Sequence, residues 1–177
     1  MFNRISIPDS CSYEMAALAE PLAVVLHASR RANFGATPNP RVCVIGAGAV
    51  GLLACSLSLA LGASSVTAID IDDAKLDFAR DVVGVQDTWK VPVPTKGSLP
   101  PPRDKDESLQ RSRALAELAL EDLSIRKGDG FDIVFECTGV ESCIQMAIFV
   151  SSTQINREHY PNSTHNPSSL VRDLALP

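Results

Sequence analysis

Val42-Cys43-Val44-Ile45-Gly46-Ala47-Gly48-Ala49-Val50-Gly51 is the stretch on which the reading of the fold turns. Its first four residues are a short, β-rich apolar run closed by a glycine, the pattern of a strand buried on both faces of a parallel sheet. Leu52 to Leu61 reads as a helix, so the glycines fall in the turn between strand and helix, the context that a dinucleotide fingerprint requires. Gly46 lets the chain turn, Gly48 lets bare backbone approach a pyrophosphate, and Gly51 lets the helix lie close to the strand. The free amides at the helix start then face the phosphates.

A second strand runs from Ser65 or Val66 to Ile69 and ends in Asp70. That carboxylate falls about 20 residues beyond the glycines, where a ribose hydroxyl would be held. Ile71, directly after it, is grouped with the same cofactor contacts. Asp72 and Asp73 add negative charge, and no Arg lies beside them to receive a 2′-phosphate, so NAD is expected rather than NADP. The alternative is a glycine-rich packing turn that binds nothing.

The 177 residues, 45 % of them apolar, suffice for one domain with a sizeable core, and two complete domains are not expected. A formal charge of −5 argues against a phosphate-backbone binder, so nucleic acid is not the expected partner. The five cysteines, Cys11, Cys43, Cys55, Cys137 and Cys143, form no C-x-x-C pair and match no zinc-finger spacing. Cys43 and Cys137 fall in expected strands and Cys55 in an apolar helix, as buried thiols of a reducing compartment do. Met1 to Ser10 shows no secretory signal. Ala47 to Ala63 is short for a membrane span, carries Ser56 and Ser58, and opens on the glycines, so a buried helix accounts for it better. A cytoplasmic protein with no membrane partner is the expectation.

Taken in order, Ser12 precedes a short helical stretch, Tyr13 to Ala19, and Pro21 stands where a new helix could begin. Leu22, Val25, Leu26 and Ser29 recur at helical spacing, with Arg30 and Arg31 at the end that favours cations. That apolar face is expected to pack on the sheet opened by Val42. Thr37-Pro38-Asn39-Pro40 makes the link. Beyond Asp70, Asp73 is expected to cap a helix from Ala74 to Asp81, and Val82, Val83 and Val85 to form a short third strand. Residues 86–107 carry Pro92, Pro94, Pro100, Pro101 and Pro102 among charges, and read as an exposed, mobile insert. Helical pattern returns from Ser108 to Leu123, with Ala116, Ala119, Leu120 and Leu123 on one side, and Lys127 to Gly130 ends it. Phe131, Ile133, Val134 and Phe135 form a strand leading into Glu136-Cys137-Thr138-Gly139, at the sheet edge where ligands collect. Glu141 to Val150 is a helix. Residues 151–177 are rich in Ser, Asn and Pro, hold only a weak strand pattern from Leu170 to Leu176, and read as a disordered tail.

Ser12-Tyr13-Glu14 through Ala19-Glu20-Pro21-Leu22-Ala23-Val24 to His27-Ala28, the glycine stretch, and Phe135-Glu136-Cys137-Thr138-Gly139-Val140-Glu141 together resemble the zinc-dependent medium-chain dehydrogenases. The nearest look is to their sorbitol and xylitol (polyol) dehydrogenase branch. The resemblance runs from about Ile5 to Ile148, the proline-rich insert excepted. It implies NAD-linked oxidation of a secondary alcohol of a sugar alcohol to a ketose, through hydride transfer near a catalytic zinc. On the matching positions it implies a pyrophosphate loop at Gly46, Gly48, Val50 and Gly51, a ribose acid at Asp70, and a turn near the cofactor at Cys137, Thr138 and Gly139. Lys75 stands where a basic residue often lies beside the adenosine, and reads equally as a solvated lysine. Glu20 matches the carboxylate of a Glu-Pro pair that approaches the zinc in the polyol branch.

Two departures qualify the resemblance. The family's catalytic domain supplies the zinc ligands and proton relay, and its counterpart is not found ahead of the first helices. Zinc takes about four ligands, three from protein at a catalytic site. His27 lies on a helix and His159 and His165 in the tail, so no metal and no catalytic residue is assigned here; zinc is expected in complete family members only. After Ile148 the family runs into further strands, which the tail replaces. A four-stranded sheet is therefore expected, with Phe131 to Glu136 at an edge open to self-association.

The expected fold class is α/β: an incomplete Rossmann-type, doubly wound parallel sheet with flanking helices and a disordered C-terminal tail. Residues 1–40 form a helical lead-in, 41–150 the NAD(P)-binding domain and 151–177 the tail. The expected function is that of an NAD-binding fragment of a polyol dehydrogenase, meeting a polyol only if a catalytic domain is supplied. The alternative is a non-enzymatic truncated product or interaction module with residual dinucleotide binding. An S-adenosylmethionine enzyme is a third reading, but its glycine loop usually follows an acidic residue, and Val44 and Ile45 precede Gly46 here.

Overall fold

The computed structural model describes residues 6–93, 101–126 and 129–152. Among the described residues four strands form one wholly parallel sheet: β1 (Arg41–Ile45), β2 (Ser65–Asp70), β3 (Asp87–Lys90) and β4 (Ile133–Glu136), in the order β3-β2-β1-β4. The central place of β1 explains its unbroken apolar run, because both faces of an interior parallel strand are covered. Alternation sorts its side chains between two cores. Val42 and Val44 join Val66, Ala68 and Phe135 on one face, while Cys43 and Ile45 join Ile69, Val134 and Trp89 on the other.

Helices cover both faces. On the first lies α3 (Ala49–Ala60), burying Ala54 and Cys55, with α2 (Ala19–Arg31) packed on it through Val25 and Ala28 and with α4 (Asp73–Phe78) contributing Leu76. On the second lie α5 (Lys105–Asp122) and α6 (Glu141–Val150), packed together and presenting Ala116, Ala119 and Leu120 with Met146, Ala147 and Val150. The doubly wound α/β class is thereby established. The high apolarity of α3 follows from its place between sheet and α2. Ser58 Oγ donates to the Ala54 carbonyl at 2.7 Å and Ser56 Oγ to that of Leu52 at 2.9 Å, so neither hydroxyl is left wanting. Among the described residues no helix is long and apolar enough to cross a membrane.

Several boundaries differ from expectation for identifiable reasons. Helix α1 (Tyr13–Ala17), capped by Ser12 at 3.2 Å from the Met15 amide, stops short of Ala19, and α2 begins there with Pro21 in its first turn. The missing N–H still costs nothing, since the first amides of a helix lack intrahelical partners. Helix α2 rests chiefly on α3 rather than on the sheet. Asp72, not Asp73, caps α4, accepting from the Ala74 amide at 3.0 Å. Val82 and Val83 end a π-helical turn, Ala79–Val83, that follows α4, and Gly84 at φ +85° reverses the chain, so they form no strand. The third strand is β3, inside the expected exposed insert. It is an edge strand whose one buried side chain is Trp89, anchored by Nε1 donating to Asp122 Oδ2 at 2.9 Å. The insert loses its end to α5 as well, which starts at Lys105 under an Asp104 cap instead of at Ser108.

Phe131 precedes β4 instead of joining it. Its amide donates to the Val150 carbonyl at 2.8 Å, its carbonyl accepts from the Ser152 amide at 2.8 Å, and it makes an isolated parallel bridge with Ser151. Ser151 and Ser152 are thus part of the fold, not of an irregular tail. Residues 153–177, with His159, His165 and the weak pattern from Leu170, lie outside the described residues, as do 94–100 of the insert and Lys127 and Gly128.

Candidate functional site

Because all strands run the same way, β1, β2 and β4 deliver Gly46, Asp70 and Glu136 to one edge; Ile45 pairs in register with Ile69 and Glu136. The chain leaves β1 toward β2 on one side while β4 lies on the other. That reversal opens a crevice at the carboxyl ends of the strands, where open α/β sheets hold ligands.

The three glycines do different work. Gly46 adopts φ +98°, and its amide donates to the Ile69 carbonyl at 2.7 Å. A Cβ on Gly46 would lie 2.7 Å from Thr138 Cγ2, and one on Gly51 only 1.7 Å from the Gly46 carbonyl oxygen, so the helix rests directly on the turn. At Gly48 a Cβ would meet nothing within 4 Å. Gly48 is also the residue before α3 and offers no side chain to its amides, which leaves those of Ala49, Val50 and Gly51 without intrahelical acceptors. Open space above unpartnered amides at the positive end of a helix is the arrangement that admits a phosphate.

Asp70 is 9 % exposed. Its Oδ2 accepts from the Ala47 amide at 2.7 Å and its Oδ1 from the Asp72 amide at 3.0 Å, which fixes the carboxylate beside the glycine turn. Ile71 next to it is exposed, an apolar surface open to solvent. Lys75 is exposed on α4. The structure also brings a cation that the sequence reading missed: Lys90, in register with Asp70 at the tip of β3, is ion-paired with Asp73. The only signal for it was the Asp-Thr-Trp-Lys pattern of an edge strand.

The opposite wall follows β4. Glu136, 6 % exposed, turns its carboxylate back on the chain. Oε1 accepts from the Thr138 amide at 2.8 Å and from the Thr138 hydroxyl, and Oε2 accepts from the Gly139 amide at 3.0 Å. Thr138 Oγ1 in turn accepts from the Val140 amide at 3.0 Å, and Gly139 adopts φ +70°. The hydroxyl proton of Thr138 is therefore engaged inward, and the turn offers a ligand its backbone and the Thr138 methyl. Cys137 stands just past β4, not within it. Burial pushes the Cys55 and Cys137 thiols up to about 12, helped for Cys55 by Cys137 and for Cys137 by Glu136, and lifts Cys43 further. Thiols so far above neutrality stay protonated and serve as apolar packing.

Glu20 is exposed in the first turn of α2, where a carboxylate favours the helix dipole without any ligand. Among the described residues no group of three or more His, Cys, Asp or Glu could hold a metal ion, so the described residues do not fit a catalytic zinc. A separate cleft of about 560 Å³ at the other end of β1, between the ends of α2 and α3, is lined by Arg30, Asn33, Phe34 and Leu61 and shares none of the crevice groups.

A family model described as zinc-binding dehydrogenase matches residues 49–153. A probable D-xylulose reductase A of Aspergillus fumigatus is 34 % identical over 144 residues, covering 81 % of this chain and 34 % of the relative. Sorbitol dehydrogenase of Gallus gallus is 33 % identical over 145 residues, covering 82 % and 34 %. Among solved structures, galactitol-1-phosphate dehydrogenase from Escherichia coli superposes with a TM-score of 0.57 at 30 % identity, over 84 % of this chain and 36 % of that one. The chain thus spans about a third of the length of the curated relatives it matches.

Proposed function

The chain belongs to the zinc-binding dehydrogenase family, the zinc-dependent medium-chain dehydrogenases, and from that premise we propose that residues 41–150 are an NAD-binding unit serving the oxidation of a sugar alcohol to a ketose. Residues 1–40 are its helical lead-in. The observation that carries the reading is the pairing of Asp70 with the Ala47 amide beside the open space over Gly48. A carboxylate held there has acceptor capacity left for ribose hydroxyls, and the bare amides of α3 stand one strand away for the pyrophosphate. When bound, the nicotinamide group supplies a hydride acceptor. This chain's own residues bind and orient: Gly46 and Gly51 fix the floor, Gly48 and Val50 give it access, and Asp70 sets which way the ligand lies. Ile71 offers an apolar face for the base, with Lys75 nearby on the same connection.

NAD is favoured over NADP by charge. Asp70, Asp72 and Asp73 repel a 2′-phosphate, and Lys90 is held by Asp73 instead of standing free for one. The polyol class is supported by the relatives named D-xylulose reductase and sorbitol dehydrogenase. No metal step is placed in the described residues.

The reading is tested by calorimetric titration of NADH into the full chain and its Asp70→Ala variant. Hydrogen bonds to a charged group are worth about 1.5–3 kcal/mol, so the variant should bind at least roughly tenfold more weakly. NADPH should bind the wild type more weakly than NADH. Equal NADH affinity in the two proteins would defeat the assignment.

A further inference from the structure

A dinucleotide that lays its ribose on Asp70 at β2 and its pyrophosphate over Gly48 after β1 has one direction left, across β4, because the strand order is β2-β1-β4. The wall it meets there is the Cys137–Gly139 turn. Among the described residues nothing apolar clamps that turn from above: a Cβ on Gly139 would meet nothing within 4 Å, and Val140 is exposed. The first residue of the turn is tied to β1 by the Cys137 amide donating to the Ile45 carbonyl at 2.8 Å; beyond that, among the described residues, one side chain holds it. The Glu136 carboxylate takes both backbone amides, Thr138 and Gly139, and the Thr138 hydroxyl, while that hydroxyl receives the Val140 amide. The turn so fixed lies on Gly46, within 2.7 Å of where a Cβ would be, so its height also sets the edge of the glycine floor.

We infer that Glu136 is the positioning residue for the nicotinamide half of the ligand. It touches no ligand; its charged acceptors fold the β4 turn down so that the backbone of Cys137 and Thr138 forms the wall of that half of the crevice. The proposal rests on the dinucleotide reading and deepens it. It accounts for a carboxylate at a nearly closed position with no cation paired to it among the described residues. Each oxygen faces N–H or O–H donors only, which stabilises the charge and at the same time spaces those donors along the turn. An amide in its place would turn an NH2 group toward one of those amides and lose a bond.

The test is calorimetric titration of the full chain with two probes, NADH and adenosine 5′-diphosphate, for wild type, Glu136→Gln and Thr138→Val. Adenosine diphosphate carries only the half read by Asp70 and α3, so it is the internal control. Glu136→Gln leaves the turn loosened in the free protein, so that NADH must re-order it on binding at the cost of about one charge-assisted hydrogen bond; it should weaken NADH about tenfold and leave adenosine diphosphate within about twofold. Thr138→Val keeps the branched shape over Gly46 and removes the hydroxyl link, and should shift NADH the same way by a smaller factor; it carries the test if Glu136→Gln does not fold. Unchanged NADH affinity in a folded variant overturns the proposal, and so does an equal loss for both probes, which marks a merely structural role. A wild-type chain that binds neither probe removes the dinucleotide reading and this proposal with it. One that binds both, with variants indistinguishable from it, removes this proposal alone.

Discussion

Gly48 and Gly51 are three residues apart in one turn, and substituting them should have opposite consequences. A Cβ on Gly51 would be 1.7 Å from the Gly46 carbonyl oxygen, whereas ordinary contact begins near 3.4 Å. Helix and turn must separate by about 1.7 Å, a backbone displacement at the upper end of overpacking costs, roughly 3 kcal/mol or more. In a chain of this size that lowers the melting temperature by about 6–12 °C for Gly51→Ala. Gly48→Asp meets open space at φ −77° and ψ −172°, dihedrals that any residue adopts. Its carboxylate would accept from the first amides of α3 and face the positive helix end, so stability should hold or rise by about 0.5–1 kcal/mol. The same carboxylate occupies the phosphate position. Unit charges about 4 Å apart repel by roughly 4 kcal/mol at an effective dielectric near 20; discounting by half for exposure still leaves about a 30-fold loss. Thermal denaturation and NADH titration, run on both variants, separate the effects. A Gly48→Asp protein that binds NADH like wild type would refute the argument that α3 receives the phosphates. A Gly51→Ala protein of unchanged melting temperature would refute the packing.

Two other outcomes follow from elements beyond the crevice. Trp89→Phe loses the indole bond to Asp122 but keeps most of the buried surface, and should cost about 1 kcal/mol in urea denaturation, against about 3–5 kcal/mol for Trp89→Ala; a Trp89→Phe protein as stable as wild type would mean that the indole bond contributes nothing. The Arg103 amide and guanidinium, and then Arg111, hold the Glu107 carboxyl at about 2 against an ordinary 4.5. A carboxylate lowered on folding stabilises above its unfolded value, and that contribution disappears as pH falls from about 4.5 to about 2. The stability difference between wild type and Glu107→Gln, followed by denaturation across that window, should shrink toward zero at its acid end; a difference independent of pH would contradict it.

How much of this was legible in the sequence depends on how local each cause is. The β1 turn, α3 and Asp70 could be read because glycine spacing and strand length fix one another within thirty residues. The two-faced core could be read from the apolar run of β1. Strand β3 could not: four residues with a single large apolar side chain carry no period, and Trp89 is held by Asp122, 33 residues away. Missing β3 also hid Lys90 and its pairing with Asp73. At the β4 turn the sequence pointed to Cys137, Thr138 and Gly139, while the organising group is Glu136. An acid at a strand end followed by Thr-Gly is the available signal, since its carboxylate can reach the amides two and three residues on. The bridge between Phe131 and Ser151 was obscured because a single parallel pairing leaves no pattern.

Strand β1 runs without a spacer from the middle of the core into the first glycine. The chain has no slack between the part that holds the molecule together and the part that would hold a phosphate. A one-residue slip of β1 would exchange Val42 and Val44 for Cys43 and Ile45 between the two hydrophobic layers and drag the ligand floor along with it. Any retuning of ligand preference, by selection or by design, is therefore confined to the side chains at the neighbouring strand tips, where Asp70 and Lys90 can be altered while the floor stays put.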